Sequence, residues 1–261
     1  MINYNPKEWF TFIFRFHKAD TFRKLIPLMI GLGIYTFIIV FLQKFVLHLP
    51  NDYRLKNITQ MHTMIGFVIS LLLVFRTNTA YDRWWEGRKL WGSLVNNSRN
   101  LSLKLNAILI DPKDKVFFYK MISNYAFALK NHLVNRSSIN QMEQMEEFDI
   151  NQLDKTKHIP MQFLNALFTK MNAMPEFANG KNSNFLYINN ELMSFADICG
   201  ACERIKNTPI PFSYSSFLKK FIFFYVMTLP IGYTFILGFY SIPVVVFIFY
   251  VLASLELIAE E

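Results

Sequence analysis

Two cysteines, Cys199 and Cys202, are all that this chain contains, so no disulfide framework can hold it together and the fold must rest on packing. Their Cys-Gly-Ala-Cys spacing suits a redox pair or half a zinc site, yet no second cysteine pair and no paired histidine stands nearby in the sequence. The histidines, His17, His48, His62, His132 and His158, are too scattered to form a recognised motif. A phosphate-binding glycine loop, a dinucleotide turn, an HExxH helix and a nucleophile elbow are all missing. Enzymatic chemistry therefore has no foothold, and we expect no catalytic residue, no metal and no cofactor. Internal repeats and low-complexity tracts are also lacking.

Charge is absent from long stretches. Phe221 to Leu255 is 35 residues without one charged side chain. As a straight helix it would measure about 52 Å at 1.5 Å per residue, too long to cross a bilayer core of about 30 Å once without extreme tilt. Pro230 and Gly232 would only kink it, whereas Gly238, Ser241 and Pro243 supply a turn near its middle. We therefore expect two helices, 215–238 and 241–257. Leu25 to Phe41 is equally uncharged, and with Gln43 and Lys44 near the far interface that span extends to Leu49. A shorter uncharged run, Met64 to Phe75, lies within a further candidate helix, 61–79.

What remains is water-loving enough to need solvent. The chain is 52% hydrophobic but 18% charged, which fits a membrane protein with a substantial aqueous part. The net charge of +8 has no Lys/Arg run interleaved with exposed aromatics, so nucleic acid is not an expected partner. Its distribution is informative instead. Lysine and arginine crowd residues 1–24 and 76–220, the 50–60 loop holds only Arg54 and Lys56, and the 238–242 loop holds none, which places both termini and the middle region in the cytoplasm. The first apolar run starts too late for a cleavable signal, and no small-residue cleavage site follows it. The middle region predicts helices near 79–110, 113–135, 160–173 and 190–206, with a polar stretch 136–159 between the second and third, in which the run 143–157 is a solvated connection.

One string joins these parts. Residues 75–92, FRTNTAYDRWWEGRKLWG, carry an apolar run straight into arginines, acids and tryptophans. Upstream, Phe67, Leu71 and Phe75 recur at i, i+4 and i+8 and form one helical stripe, with the small residues Gly66 and Ser70 beside it where another helix could approach. Trp84, Trp85 and Trp91 suit a membrane-proximal interface. Asp82, Arg83, Glu86 and Arg88 can pair at i+3 and i+4, and Trp84 lies one turn from Arg88. Taken alone, the stripe reads as ordinary helix packing and the charges as knitting a helix to its neighbours.

The string closely resembles the second transmembrane helix and following segment of the bestrophin family of ion channels, in its bacterial branch. The resemblance starts at Tyr4, Lys7 and Trp9, and is strongest at Phe75, Arg76, Asn78, Tyr81–Glu86 and Arg88–Gly92. It returns at Glu203-Arg204-Ile205 and Thr208-Pro209-Ile210-Pro211, and closes with Leu255–Glu261. It implies an all-α membrane protein with four transmembrane helices per subunit and a large helical cytosolic region, assembled as a homopentamer around a central pore. The segments would be a cytosolic 1–24, spans 25–49 and pore-lining 61–79, a helical cytosolic 80–212, spans 215–238 and 241–257, and a cytosolic end 258–261. Matched residue by residue, the hydrophobic neck falls at Phe67, Leu71 and Phe75 and the cytosolic aperture at Ile210, while Tyr81, Asp82, Arg83, Trp84, Trp85, Glu86, Arg88 and Trp91 are structural. The implied partners are inorganic ions, the lipid bilayer of a bacterial inner membrane and further copies of the chain. Ring edges are electropositive, which favours chloride or other anions; a monovalent cation channel of the same fold and a non-conducting membrane scaffold are the alternatives. The acidic segment that helps some animal members bind calcium would follow Glu261, so calcium activation is not expected from these residues.

Overall fold

Helices account for all the regular structure among the described residues, which in this computed structural model are 20–50, 54–136, 141–145, 147–177 and 182–260. In chain order they are α1 (Asp20–Phe41), α2 (Ile58–Ile108), α3 (Pro112–Leu133), α4 (Ile159–Ala173), α5 (Asn182–Asn207), α6 (Phe212–Leu237) and α7 (Ser241–Ile258). The chain divides into two compact units. One takes the residues up to Asp82 together with Ile210–Glu261, and the other is Arg83–Pro209. Helix α2 contributes its first part to the former and the rest to the latter.

The first unit is built from the apolar helices. Leu32 of α1, Ile69 and Leu73 of α2, Leu218, Ile222, Val226 and Leu229 of α6 and Val245 of α7 form its core. Among the described residues, three stretches are long and apolar enough to cross a membrane: Thr21–Val46, Ile58–Ile108 and Phe212–Ile258. The last breaks into α6 and α7 through a single 3-10 turn, Gly238–Tyr240. Gly238 adopts φ +57, and a Cβ there would lie 2.7 Å from the Lys44 ammonium, so both backbone and space demand glycine. Ser241 completes the turn by donating its hydroxyl to the Gly238 carbonyl at 2.7 Å. Pro230, inside α6, has no N–H to donate, and one turn back the Tyr35 hydroxyl of α1 donates to the Met227 carbonyl at 3.1 Å.

Several boundaries differ from those predicted; α5, for one, already includes Asn182 where a start near 190 is expected. Helix α1 already includes Asp20–Lys24, part of the expected amino-terminal segment, because no residue there breaks a helix, and Pro27 lies inside it. The expected span 61–79 and the helix 79–110 are one continuous helix of 51 residues. It contains no proline, and Gly66, Gly87 and Gly92 are tolerated singly in its interior.

The second unit packs the remainder of α2 with α3, α4 and α5. Leu94, Leu101 and Leu105 of α2 meet Phe118, Met121, Tyr125 and Leu129 of α3, Phe163 and Leu167 of α4 and Leu192 and Phe195 of α5. Asp111 caps α3 by accepting the Lys113 amide at 2.8 Å, with Pro112 in the first turn. The polar connection is not merely solvated. Ile150 is fully buried, Phe148 and Leu153 pack on the core, and the Asn124 amide exchanges two 2.8 Å hydrogen bonds with the backbone of Glu143. Alternating apolar residues under a charged surface hold this loop down, and the charges masked them in the sequence.

Candidate functional site

Within the first unit α2 is divided cleanly by burial. At 100° per residue, His62, Ile69, Leu73 and Arg76 lie on one side of the helix, and all four are buried. Phe67, Leu71 and Phe75 lie on the other, exposed by 72%, 46% and 58%. The three residues of the stripe therefore belong to neither hydrophobic core of the described residues. Met64, Val68 and Val74 share the exposed side, widening it into a broad apolar face with Thr63, Ser70 and Asn78 interspersed. Thr63 and Ser70 donate to carbonyls one turn back, Thr59 at 3.1 Å and Gly66 at 2.8 Å, so their hydroxyls are satisfied without water.

Gly66 serves the chain's own packing. A Cβ there would meet the Tyr225 hydroxyl of α6 at 2.7 Å, so its small size lets α6 approach. One turn earlier His62 bridges the same two helices. Its Nδ1 lies 2.9 Å from the Ile58 carbonyl and its Nε2 2.9 Å from the Thr228 hydroxyl, which sets Nδ1 as the donor.

Immediately after Phe75 the chain turns a charge inward. The Arg76 guanidinium donates to the Ser215 hydroxyl of α6 at 2.8 Å, lies 3.1 Å from the Glu256 carboxylate of α7 and 3.9 Å from that of Glu260. Lys219 pairs with Glu260 at the rim of this knot, and the Tyr214 hydroxyl donates to the Leu72 carbonyl at 3.0 Å. The end of the stripe is thus tied to the start of α6 and the end of α7. Sequence reasoning quoted Arg76 and the closing string holding Glu256 without pairing them; the one available signal was that Glu256 is the first charge after the long uncharged run.

Ile210 lies half-buried in the short non-helical link between α5 and α6, where Pro209 and Pro211 flank it. Pro211 adopts φ −51, ψ 129 as the residue before α6, an extended geometry that prolines impose on such a link.

In the second unit the tryptophan-rich block reaches across to α5. Arg83 donates one guanidinium nitrogen to the Ile205 carbonyl at 2.7 Å and another to the Thr208 carbonyl, filling acceptors that the helix C-terminus leaves open and placing a cation at the negative end of its dipole. Arg204 of α5 pairs with Glu86 at 2.5 Å. Arg83 and Glu86 thus find their partners on α5 rather than within the block, and Lys89 lies over Trp85, 5.6 Å from the ring centre. Trp91 packs on the core of this unit, while Tyr81, Asp82, Trp84, Trp85 and Arg88 are exposed.

The same unit gathers residues that the sequence leaves far apart. His132 ends α3, His158 caps α4 and Glu203 lies near the end of α5, and both histidine Nε2 atoms stand 2.6 Å from one Glu203 oxygen. The His132 and His158 rings are 4.3 Å apart. Burial pushes the Glu203 carboxyl up, but the hydrogen bonds from His158 and His132 outweigh it and hold the group below the ordinary carboxylate range. Cys199, one turn before Glu203, places its Sγ 4.0 Å from His158 Nε2. Burial first, then the Glu203 charge, pushes its thiol up to about 12. Cys202 is raised for the same reasons, so in the metal-free protein both stand as thiols rather than thiolates. No spacing rule links positions 132, 158 and 203, and only the fold reveals the cluster.

Comparison with known proteins places this arrangement. The profile of a family described as bacterial/fungal bestrophin protein matches residues 1–261. A voltage-dependent anion channel-forming protein of Mesorhizobium japonicum is 26% identical over 256 residues, covering 98% of this chain and 82% of that protein. A protein of the same description from Nostoc sp. is 35% identical over 204 residues, covering 75% of this chain and 66% of its own length. Among solved structures, a bacterial bestrophin homologue from Klebsiella pneumoniae superimposes with a TM-score of 0.77 at 21% identity, over 92% of this chain and 87% of its own.

Proposed function

Because the chain belongs to the bacterial and fungal bestrophin family, we propose that it forms an anion-conducting channel in which several copies surround one axial pore. The observation that carries this reading is the exposed row Phe67, Leu71 and Phe75 on the side of α2 opposite its own core. One subunit has no use for that row. In a symmetric ring each residue becomes a belt of apolar side chains around the axis, and five copies are the number the family resemblance supports.

Such belts hold water poorly, so they resist ions until the passage widens or wets. A neck of Phe and Leu carries no fixed charge; its ring edges are electropositive and favour an anion over a cation. Arg76, the cation nearest the stripe in sequence, faces inward and is neutralised by Glu256, so it leaves the neck's selectivity to the aromatic edges. Ile210 would supply a second, cytosolic constriction, a reading supported by the flanking prolines, which keep its link out of a regular helix. The spans would be 25–49, 61–79, 215–238 and 241–257, with both termini and residues 80–212 in the cytoplasm of a bacterial inner membrane.

The test is flux. Purified protein in liposomes should dissipate a chloride gradient and continue to do so when sodium is replaced by a large organic cation. Flux that follows the cation instead would assign a monovalent cation channel of the same fold. Folded, correctly assembled protein that passes neither would make it a scaffold.

A further inference from the structure

The cluster in the second unit has a composition that channel function leaves unused. His132, His158 and Glu203 come from three different helices or their caps, and their donor atoms lie within 4.8 Å of one another. Cys199 brings a sulfur to the same place from one turn along α5. All three of the nitrogen and oxygen ligands are partly exposed, so an ion from the cytosol can reach them. Two nearby cations are engaged elsewhere: Lys206 donates to the His132 carbonyl and the Asn135 side chain at 2.9 and 2.6 Å, and Lys157 pairs with Asp154 at 3.3 Å.

We propose that His132, His158, Glu203 and Cys199 form a binding site for a divalent transition metal, with Zn2+ as its ion. Two imidazoles, a carboxylate and a thiolate are a ligand set of the borderline softness that zinc takes, four at a time. Zinc bonds of about 2.0–2.3 Å at tetrahedral angles put ligand atoms about 3.3–3.5 Å apart. That spacing lies between the 2.6 Å contacts at Glu203 and the 4.0 Å sulfur contact, so small side-chain rotations close the shell around an ion.

The protons balance as follows. Cys199 releases its proton to solvent and binds as thiolate. His158 Nδ1 accepts the Met161 amide at 3.3 Å, so its proton stands on Nε2, facing Glu203; ligation moves that proton to Nδ1 and gives up this long cap bond. His132 Nε2 likewise carries the proton it donates to Glu203, and ligation moves that proton to Nδ1, leaving Nε2 for the metal. The bound ion would staple the end of α3, the start of α4 and the last turns of α5.

Two substitutions separate a metal site from a hydrogen-bonded cluster. Glu203→Gln keeps a carbonyl oxygen for both imidazole N–H groups but removes the anionic ligand, and His158→Asn keeps a good N-cap but removes a ligand. Full-length protein, freed of its purification tag and stripped of metal, is titrated with Zn2+ and with Co2+ as a spectroscopic substitute. The wild type should take up one zinc per chain, gain thermal stability on binding, and show a thiolate-to-cobalt charge-transfer band that Cys199→Ser abolishes. Glu203→Gln and His158→Asn should remain folded and bind zinc at least about 100-fold more weakly, beyond the change typical of an outer-shell residue. Equal zinc affinity in wild type and Glu203→Gln, or a wild type without the charge-transfer band, would overturn the proposal.

Discussion

Arg76 and Glu256 meet in the interior of the first unit, nitrogen to oxygen at 3.1 Å, and retain only 2% and 3% of their exposure. An ion pair so thoroughly removed from water gains little net stability as a pair, since desolvation offsets the attraction. Breaking it is another matter. Arg76→Met should destabilise this unit by about 3–5 kcal/mol, because Glu256 is left buried without its counter-charge, whereas Arg76→Met combined with Glu256→Met should recover most of the loss. Thermal unfolding in mild detergent across this double-mutant cycle reads the coupling; additive effects of the two substitutions would show that the pair does not act as one.

That pair also marks how far the sequence could be read. The uncharged runs and the Gly238-Ser241-Pro243 turn were legible, since the absence of charge over a long helix and a glycine held at φ +57 are local properties. The stripe on α2 was legible as periodicity, but whether it faced its own core was not; that depended on Ile69, Leu73 and Arg76 claiming the opposite side for contacts with α6 and α7. The join of α2 across positions 79 and 80 was hidden because a change from apolar to charged residues looks like a boundary even where no residue breaks the helix. Glu203 with His132 and His158, and Arg83 with the carbonyls of α5, are products of tertiary approach. Side chains on separate helices leave no spacing behind to find.

Lys170 gives the second unit a pH dependence with a defined sign. Its ammonium lies 2.7 Å from Glu147 and 2.9 Å from Asp114, and hydrogen bonds to Glu147 first, then Asp114, raise it above the ordinary lysine value of 10.5. A raised cationic group contributes fully below its unfolded value and loses that contribution as pH rises through the folded one. Lys170→Met should therefore weaken this unit at neutral pH, by up to about 1 kcal/mol for so accessible a pair, and the difference should shrink at strongly alkaline pH. Denaturant midpoints measured at both ends of the range test it; a difference that grows with pH would exclude the assignment.

Ile210 is expected to sort permeant ions by size. Between Pro209 and Pro211 the backbone is stiff, so shortening the side chain should widen the aperture without moving the link. Ile210→Ala should change relative permeability among anions of different radius while assembly and total protein yield stay the same. Bi-ionic reversal potentials in planar bilayers give the ratios directly, and ratios identical to wild type would remove Ile210 from the conduction path.

The neck itself makes the sharpest demand. Phe67, Leu71 and Phe75 fill no part of their own subunit's core, so replacing all three with Ala leaves the fold of one chain intact and should widen the passage, raising current per channel or open probability. Were the stripe a packing face between subunits, the same change would leave cavities costing about 2–5 kcal/mol at each buried site, and the assembly would fall apart with no gain in flux. Leu71→Ser divides the two readings at a single position. In a pore the hydroxyl hydrates its ring and lowers the barrier to ions; in a dry interface it is buried without a partner and destabilises the assembly. Native mass spectrometry and liposome flux on that one variant supply both readouts, and an intact oligomer with unchanged flux would mean that the stripe does not control conduction.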